Sequence, residues 1–201
     1  MSFISHFLDV LIPPRATDRV VRSITLSELQ ALVRADTGSL PYHDPRVTAL
    51  VWELKYHANP QAAALASELL YEQLLGIAAE ELGVPLLIPV PMHKNRKRTR
   101  GHNQTELLCK GVLTLVGGAF EYAPQILERT VDTRSQQGLE RHKRLKNVHG
   151  SMHATNPTLL ERRVCVVIDD VSTTGATLDE ARRALLKAGA ARVHLVALAH
   201  S

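Results

Sequence analysis

The chain has few aromatic residues, only two cysteines and no long uninterrupted apolar run. Aromatic residues make up 4% of its 201 residues, so it offers few rings on which nucleobases could stack. Cys109 and Cys165 have no partner at metal-ligand spacing, which excludes a disulfide scaffold and favours a reducing cytoplasm. No apolar stretch approaches the ~20 residues that span a bilayer, so we expect no membrane insertion.

The remaining composition is typical of a soluble globular protein. Hydrophobic residues make up 45% and charged residues 22%, and the formal net charge is +4. This length fits one domain with a small addition, so we predict an appendage or hood at residues 1–45 and a domain at residues 46–201. Asp9 interrupts the first apolar run, which ends in Pro13 and Pro14, so we do not interpret it as a signal peptide.

The most informative stretch is residues 163–178. Residues 164–168 are apolar and mostly β-branched, which predicts a central strand buried on both faces, with Asp169 and Asp170 where it ends. The small and hydroxylated residues 173–177 then lead into an amphipathic helix, and such a loop favours a phosphate. Carboxylates repel phosphate but accept hydrogen bonds from sugar hydroxyls, so the pattern predicts a site for a ribose 5-phosphate.

Apolar spacing predicts further elements. We expect helices at residues 24–33 and 46–56, from Asn59 to near Gly83, and after Asn103, with strands at 84–90 and 193–198. Pro85 and Pro89 favour a place near the sheet edge for the first of these strands. Trp52 and Tyr56 lie one helical turn apart, and we expect them to pack in the core rather than against a ligand.

Positive charge is concentrated in two segments. Residues 94–100 contain five cations and directly follow the strand at 84–90. Since ligands bind outside the carboxyl ends of parallel strands, this basic loop could share a cleft with the phosphate loop and hold a pyrophosphate; the alternative is a solvated surface. The second segment, residues 129–150, has six cations and little apolar content, and we predict a mobile loop there.

Three stretches resemble known families. VVIDDVSTTGATL, residues 166–178, resembles the phosphoribosyl pyrophosphate (PRPP) motif of type I phosphoribosyltransferases. PVPMH at 89–93 with RTRGHNQ at 98–104 resembles the "VP-H…RGFNQ" signature of the ComF family, competence-associated proteins with a phosphoribosyltransferase domain, although His102 replaces a Phe. LKY at 54–56 resembles that family's "KY" element. The family's usual N-terminal four-cysteine zinc module is missing, because no cysteine precedes Cys109.

The resemblance implies an α/β fold of the type I phosphoribosyltransferase kind, with an open, mainly parallel twisted sheet and helices on both faces. It also implies PRPP as ligand, with Mg²⁺ bound through PRPP and no protein metal site. The residues it implies are Asp169 and Asp170 for catalysis at the ribose hydroxyls; Thr173, Thr174, Gly175, Ala176 and Thr177 for the 5-phosphate; His93, Lys94, Arg98 and Arg100 for the pyrophosphate; and Arg129, Gln136, Arg144 and Asn147 in the mobile loop.

The predicted activity is transfer of phosphoribose to an unidentified acceptor with release of pyrophosphate, in DNA uptake (competence) or nucleotide metabolism. The alternative is a non-catalytic module that senses PRPP or binds single-stranded DNA. The sequence leaves open whether the protein binds competence proteins and whether it forms a homodimer. His149 and His153 lie four residues apart but lack a helical pattern and a third ligand, so we expect no metal there.

Overall fold

The computed structural model of the chain describes residues 14–131 and 148–201, with the backbone alone for Pro14 and Arg15. The helices are α1 (Pro14–Ser23), α2 (Leu26–Gln30), α3 (Pro45–His57), α4 (Pro60–Glu80), α5 (Lys94–Arg100), α6 (Gln104–Val116), α7 (Pro157–Leu160) and α8 (Ala176–Lys187). The strands are β1 (Leu40–Pro41), β2 (Leu86–Pro89), β3 (Glu121–Tyr122), β4 (Leu127–Arg129), β5 (Met152–Ala154), β6 (Val164–Ser172) and β7 (Arg192–His200).

Five strands form one parallel sheet in the order β1-β7-β6-β2-β3. The long strand β6 is central, since it pairs with β2 on one side and with β7 on the other. A separate antiparallel pair joins β4 to β5. The predicted open, mainly parallel sheet is therefore confirmed.

Both faces of the sheet are covered, because side chains along β6 alternate between two cores. Val166 and Ile168 pack into a core that includes buried residues of α3, α4 and α6. Cys165 and Val167 point the other way, into a core that includes Leu185 of α8. The prediction of a strand buried on both faces is confirmed, and Cys165 is buried as expected.

A topological switch point separates β2 from β6. The chain leaves β2 through α6 and reaches β3 on one side, whereas it leaves β6 through α8 and reaches β7 on the other. Helices α6 and α8 cover opposite faces of the sheet. Crevices form where neighbouring parallel strands diverge in this way, outside their carboxyl ends. The fold therefore places a cleft beyond Pro89 and Ile168, the last paired residues of β2 and β6.

Strand β2 lies near the edge of the sheet, as its prolines predicted, because among the described residues only the two-residue strand β3 lies beyond it. The carbonyls of Pro85 and Leu87 accept hydrogen bonds from the β3 side, whereas the amide of Val90 donates to Ile168 in β6. By strand alternation, Pro89 also faces the β3 side, where the ladder has already ended at Tyr122. Neither proline interrupts the pairing with β6, so both are tolerated in this strand.

Strand β6 extends further than predicted. Asp169 and Asp170 do not follow its end but lie within it, and the ladder with β7 continues to the pair Ser172↔His200. On the β2 side the ladder stops at Ile168. The two acids therefore remain held by β7 while their β2 side opens toward the cleft.

The helix predictions are confirmed in outline, and the predicted caps fit the structure. Asn59 accepts hydrogen bonds from the first turn of α4, and Pro60 occupies its first position. The predicted helix at 24–33 shortens to α2, where Thr25 and Glu28 form a capping box. Within the described residues, no helix is long and apolar enough to cross a membrane.

Part of the N-terminal region contributes to the sheet and its core. Strand β1 pairs with β7, and Leu29 and Leu40 are buried in the same core as α3 and α4. The division into an appendage at residues 1–45 and a domain at residues 46–201 stays a prediction.

Candidate functional site

A cleft of about 240 Å³ lies at the carboxyl ends of β2 and β6. Asp169 and Asp170 form its floor, and both are nearly buried, with 6% and 4% of their surface exposed. The Asp170 amide donates to Asp169 Oδ1 at 2.9 Å, which fixes the first carboxylate against the backbone. Two adjacent buried carboxylates are costly, so the charges around them decide their ionisation.

A lysine from another element compensates one of these charges. Lys55, in the last turn of α3, places its Nζ 3.2 Å from Asp170 Oδ2. Asp170 therefore points toward the core face that carries α3, whereas Asp169, on the alternate side of the strand, also lines a small cavity beside residues 171–178. The two acids thus meet different surroundings.

The two carboxyl groups differ in pKa for this reason. Burial, reinforced by the charge of Asp170, raises the pKa of Asp169 to about 8. Burial acts on Asp170 as well, but the Lys55 ammonium outweighs it and holds the pKa of Asp170 below its ordinary value. Burial acts to lower the pKa of Lys55, but the negative charge of Asp170 outweighs it and raises that pKa. The surroundings therefore favour the protonated form of Asp169 and an ion pair between the Asp170 carboxylate and the Lys55 ammonium.

The predicted phosphate loop lies directly beside Asp169. Thr173, Thr174, Gly175, Ala176 and Thr177 line the small cavity of about 30 Å³, and Asp169 and Thr177 line the main cleft as well. Gly175 precedes α8 with φ of +79°, in the left-handed region that favours glycine. Gly175 has no side chain to cap α8, and the Ala176 amide donates to Thr174 Oγ1 at 3.4 Å, so backbone N–H groups and threonine hydroxyls lie together beside the loop cavity, as a phosphate site requires.

The opposite wall differs from the predicted basic loop, because residues 94–100 form the short helix α5. His93 caps it by accepting from the Asn95 amide, and Gly101 ends it with φ of +82°. Helical spacing brings Arg96 and Arg100 to the cleft together with His93. Lys94 and Arg98 lie on the exposed side of α5 and do not line the cleft.

Polar contacts join the end of β2 to the start of α6. Asn103 caps α6 as predicted, and its Nδ2 donates to the Val90 carbonyl at 3.1 Å. Thr105 Oγ1 donates to the same carbonyl at 2.8 Å. Gln104 accepts from Arg100 at 3.0 Å and lines the same cleft as the acid pair.

Tyr56 differs from its sequence prediction. Its ring is 4.4 Å from Trp52, as the one-turn spacing suggests, but Tyr56 is 48% exposed at the cleft. The Arg100 guanidinium lies over the Tyr56 ring, 5.1 Å from its centre. The prediction that both aromatic residues pack in the core is therefore wrong for Tyr56, because α3 ends at His57 and presents its last turn to the cleft.

The second basic segment falls mostly outside the described residues. Arg129, at the end of β4, lines the cleft. Gln136, Arg144 and Asn147, and with them the predicted mobile loop, lie outside the described residues. On the far side of that segment, Glu180 of α8 accepts from the Met152 amide at 3.2 Å.

Several polar cleft residues were not named as site residues from the sequence, among them Lys55, Gln104 and Thr105. Lys55 carried one signal, its place in the LKY element, and Gln104 carried another as the last residue of the RTRGHNQ stretch. Arg96 was included only as one of the five cations of the basic loop, and the helical period of residues 94–100 could have singled it out as the neighbour of Arg100. Thr105 gave no signal beyond its position near the predicted cap.

Sequence comparison relates the chain to known proteins. Residues 112–201 match the family model described as phosphoribosyl transferase domain. The chain is 31% identical over 160 residues to the DNA utilization protein YhgH of Salmonella typhi, which covers 78% of this chain and 68% of that protein. The chain belongs to the ComF family. The Competence protein F of Haemophilus influenzae is 34% identical over 118 residues, covering 57% and 50% of the two chains.

Solved structures similar to this ComF family member are phosphoribosyltransferases and related enzymes. A hypoxanthine phosphoribosyltransferase from Staphylococcus aureus matches 69% of this chain and 63% of its own, with 10% identity and a TM-score of 0.42. The glutamine PRPP amidotransferase from B. subtilis matches 74% and 30%, with 19% identity and a TM-score of 0.42. TM-scores this low carry no further argument, so the fold of this ComF protein is described from its own sheet order.

Proposed function

We propose that this ComF family protein binds Mg²⁺-PRPP in the cleft between β2 and β6 and transfers its phosphoribosyl group to an acceptor. The observation that carries the proposal is the acid pair of β6 beside the loop at the start of α8. Anion donors at residues 173–177 suit the 5-phosphate, and Asp169 and Asp170 suit the ribose hydroxyls.

The reaction is a displacement at the anomeric carbon. A bond from the acceptor's nucleophilic atom to that carbon forms while the bond to the pyrophosphate oxygen breaks, and the pyrophosphate leaves with the electron pair. Positive charge develops on the sugar, and the Asp170 carboxylate is placed to stabilise it. Arg96 and Arg100, on the opposite wall, are placed to bind the leaving pyrophosphate.

Magnesium fits this site as a partner of the ligand. Within the described residues, no group of three or more His, Cys, Asp or Glu is arranged to hold a metal ion. Mg²⁺ is commonly held by substrate phosphates and water together with few protein groups, which suits a cleft whose acid pair carries a single negative charge. Bound in this way, the ion would neutralise charge on the pyrophosphate.

The cleft mouth supports a second function, binding of single-stranded DNA. The Tyr56 ring and the Arg100 guanidinium are stacked and partly exposed there, and stacked groups with nearby cations bind single strands. Relatives are named DNA utilization protein and Competence protein F. DNA uptake or nucleotide metabolism are the settings that we propose for the protein.

Calorimetric titration with Mg²⁺-PRPP tests the proposed function. We expect the wild type to bind and the Asp169→Asn, Asp170→Asn double variant to lose at least about tenfold in affinity, because each substitution removes an acceptor or a charge at the ribose. Asp36→Asn is the matched control, since Asp36 pairs with Arg34 in the exposed turn before the edge strand β1 and does not line the cleft.

The same titration with a single-stranded oligonucleotide separates the two functions. Contacts with ~4 phosphates would give a log–log salt slope of about −3. A folded wild type that binds the oligonucleotide with such a slope but does not bind PRPP would contradict the enzymatic proposal and favour the DNA-binding module.

A further inference from the structure

Lys55 reaches the acid pair from outside the sheet. It lies in the last turn of α3, which ends at His57, and its side chain is only 25% exposed. Its Nζ is 3.2 Å from Asp170 Oδ2, and this oxygen is buried. The ammonium is therefore the main partner of this buried oxygen.

The Lys55 ammonium balances the Asp170 carboxylate at the bottom of the cleft, where the two groups are 3.2 Å apart. Burial and the neighbouring Asp170 charge favour the protonated form of Asp169, so the Lys55–Asp170 ion pair is the main charge pair there. Without the ammonium, a buried carboxylate would stand uncompensated at the place where an anionic ligand enters. An uncompensated buried charge is costly and raises its own pKa or attracts a cation.

We propose that Lys55 is a positioning residue that acts as a built-in counterion of the acid pair, so that the cleft accepts a ribose 5-phosphate group without a divalent cation at the carboxylates. The inference rests on the proposed function and deepens it, because it says that a protein side chain, rather than a metal ion, balances the negative charge of the acid pair at the ribose. Mg²⁺ then serves the pyrophosphate alone.

Other charged and titratable groups surround Lys55 and are the same in every variant considered below. They come from the turn after β1, from α5 and the residue before it, from β4 and from β6: Tyr42, His93, Arg96, Arg100, Arg129, Asp169 and Asp170. Only the two aspartates are acidic groups of low ordinary pKa, so removal of the Lys55 charge acts mainly on them.

The test uses ribose 5-phosphate as the probe, because it lacks the pyrophosphate that would carry Mg²⁺ into the site. Its affinity is measured with and without Mg²⁺, at pH 7.5 and 5.5, for the wild type, Lys55→Met and Lys55→Arg. Lys187→Met is the matched control, since Lys187 is exposed in the last turn of α8. All values are compared with the wild type at the same pH.

We expect the wild type, Lys55→Arg and the control to bind without Mg²⁺. Lys55→Met should lose at least about tenfold in affinity at pH 7.5 without Mg²⁺, and it should recover on addition of Mg²⁺ or at pH 5.5, where protonation replaces the lost charge. A purely structural role would lower stability but would not make binding depend on Mg²⁺ or pH.

Two results overturn the inference. If the wild type binds and Lys55→Met binds with the same affinity, Mg²⁺ dependence and pH dependence, Lys55 is not the counterion, while the proposed function stands. If the wild type does not bind ribose 5-phosphate at all, the proposed function fails, and carboxyl ¹³C NMR of the ligand-free proteins decides the role of Lys55. If the pKa of Asp170 is higher in Lys55→Met than in the wild type, Lys55 is the counterion of Asp170. If the pKa of Asp170 is the same in both proteins, the inference is overturned.

Discussion

Single residues in β6 and α3 decide what the cleft can bind. The acid pair and the small-residue loop are adjacent in sequence, so their chemistry is visible there. Lys55 is far from them in the chain, and only the packing of α3 against the sheet brings it to Asp170. The difference in pKa between Asp169 and Asp170 therefore depends on tertiary structure.

Asp169 should make the stability of the protein depend on pH. Its folded pKa, about 8, lies above the ordinary value, so between about pH 4 and pH 8 the folded state binds more protons than the unfolded state. Stability contributed by this group is present at low pH and is lost as pH rises toward 8, by up to about 1.4 kcal/mol per pH unit.

Asp169→Asn removes this dependence, and its amide oxygen can still accept from the Asp170 amide. We expect the free energy of unfolding of the wild type, relative to the variant, to fall from pH 5 to pH 8 in urea denaturation. A difference that stays constant or rises over this range would contradict the raised pKa of Asp169.

At the level of helices and strands, local signals were the most reliable guide. Asn59 with Pro60, and Asn103, begin α4 and α6 as predicted, because capping is a contact between neighbours in sequence. The two- and three-residue strands β3, β4 and β5 were not predicted, since they are too short to show a period. The prolines of β2 predicted its place near the sheet edge, but its pairing with β3 depends on a strand that was not predicted.

Helices α4 and α6 pack closely at Gly111, which had no sequence signal. A Cβ at Gly111 would lie 2.1 Å from Ser67 Oγ and 3.0 Å from Ser67 Cβ. We expect Gly111→Ala to destabilise the protein by about 1–3 kcal/mol through overpacking. Gly76→Ala, in α4 with open space around it, should instead stabilise by about 0.5–1 kcal/mol.

Urea denaturation of both variants measures these opposite signs, and Ser67→Gly combined with Gly111→Ala should restore part of the loss. Equal effects of the two alanine substitutions would show that α4 and α6 do not approach each other as described.

For the whole molecule, the apolar run at residues 164–168 predicted a strand buried on both faces, and the family resemblance implied the mainly parallel sheet with helices on both faces; the structure confirms both. The cleft was also placed in advance, because parallel strands expose their carboxyl ends on one side. The contribution of β1 to the sheet edge was not foreseen, since a two-residue strand depends entirely on its contact with β7. No sequence pattern names the acceptor of the proposed reaction.

The most direct test of the account is a crystal structure of the protein with Mg²⁺-PRPP. We predict the 5-phosphate about 3 Å from backbone N–H groups of residues 174–177, the ribose hydroxyls at Asp169 and Asp170, and the pyrophosphate toward Arg96 and Arg100. PRPP bound elsewhere, or a cleft that stays free of it in crystals grown with excess ligand, would contradict the proposed site.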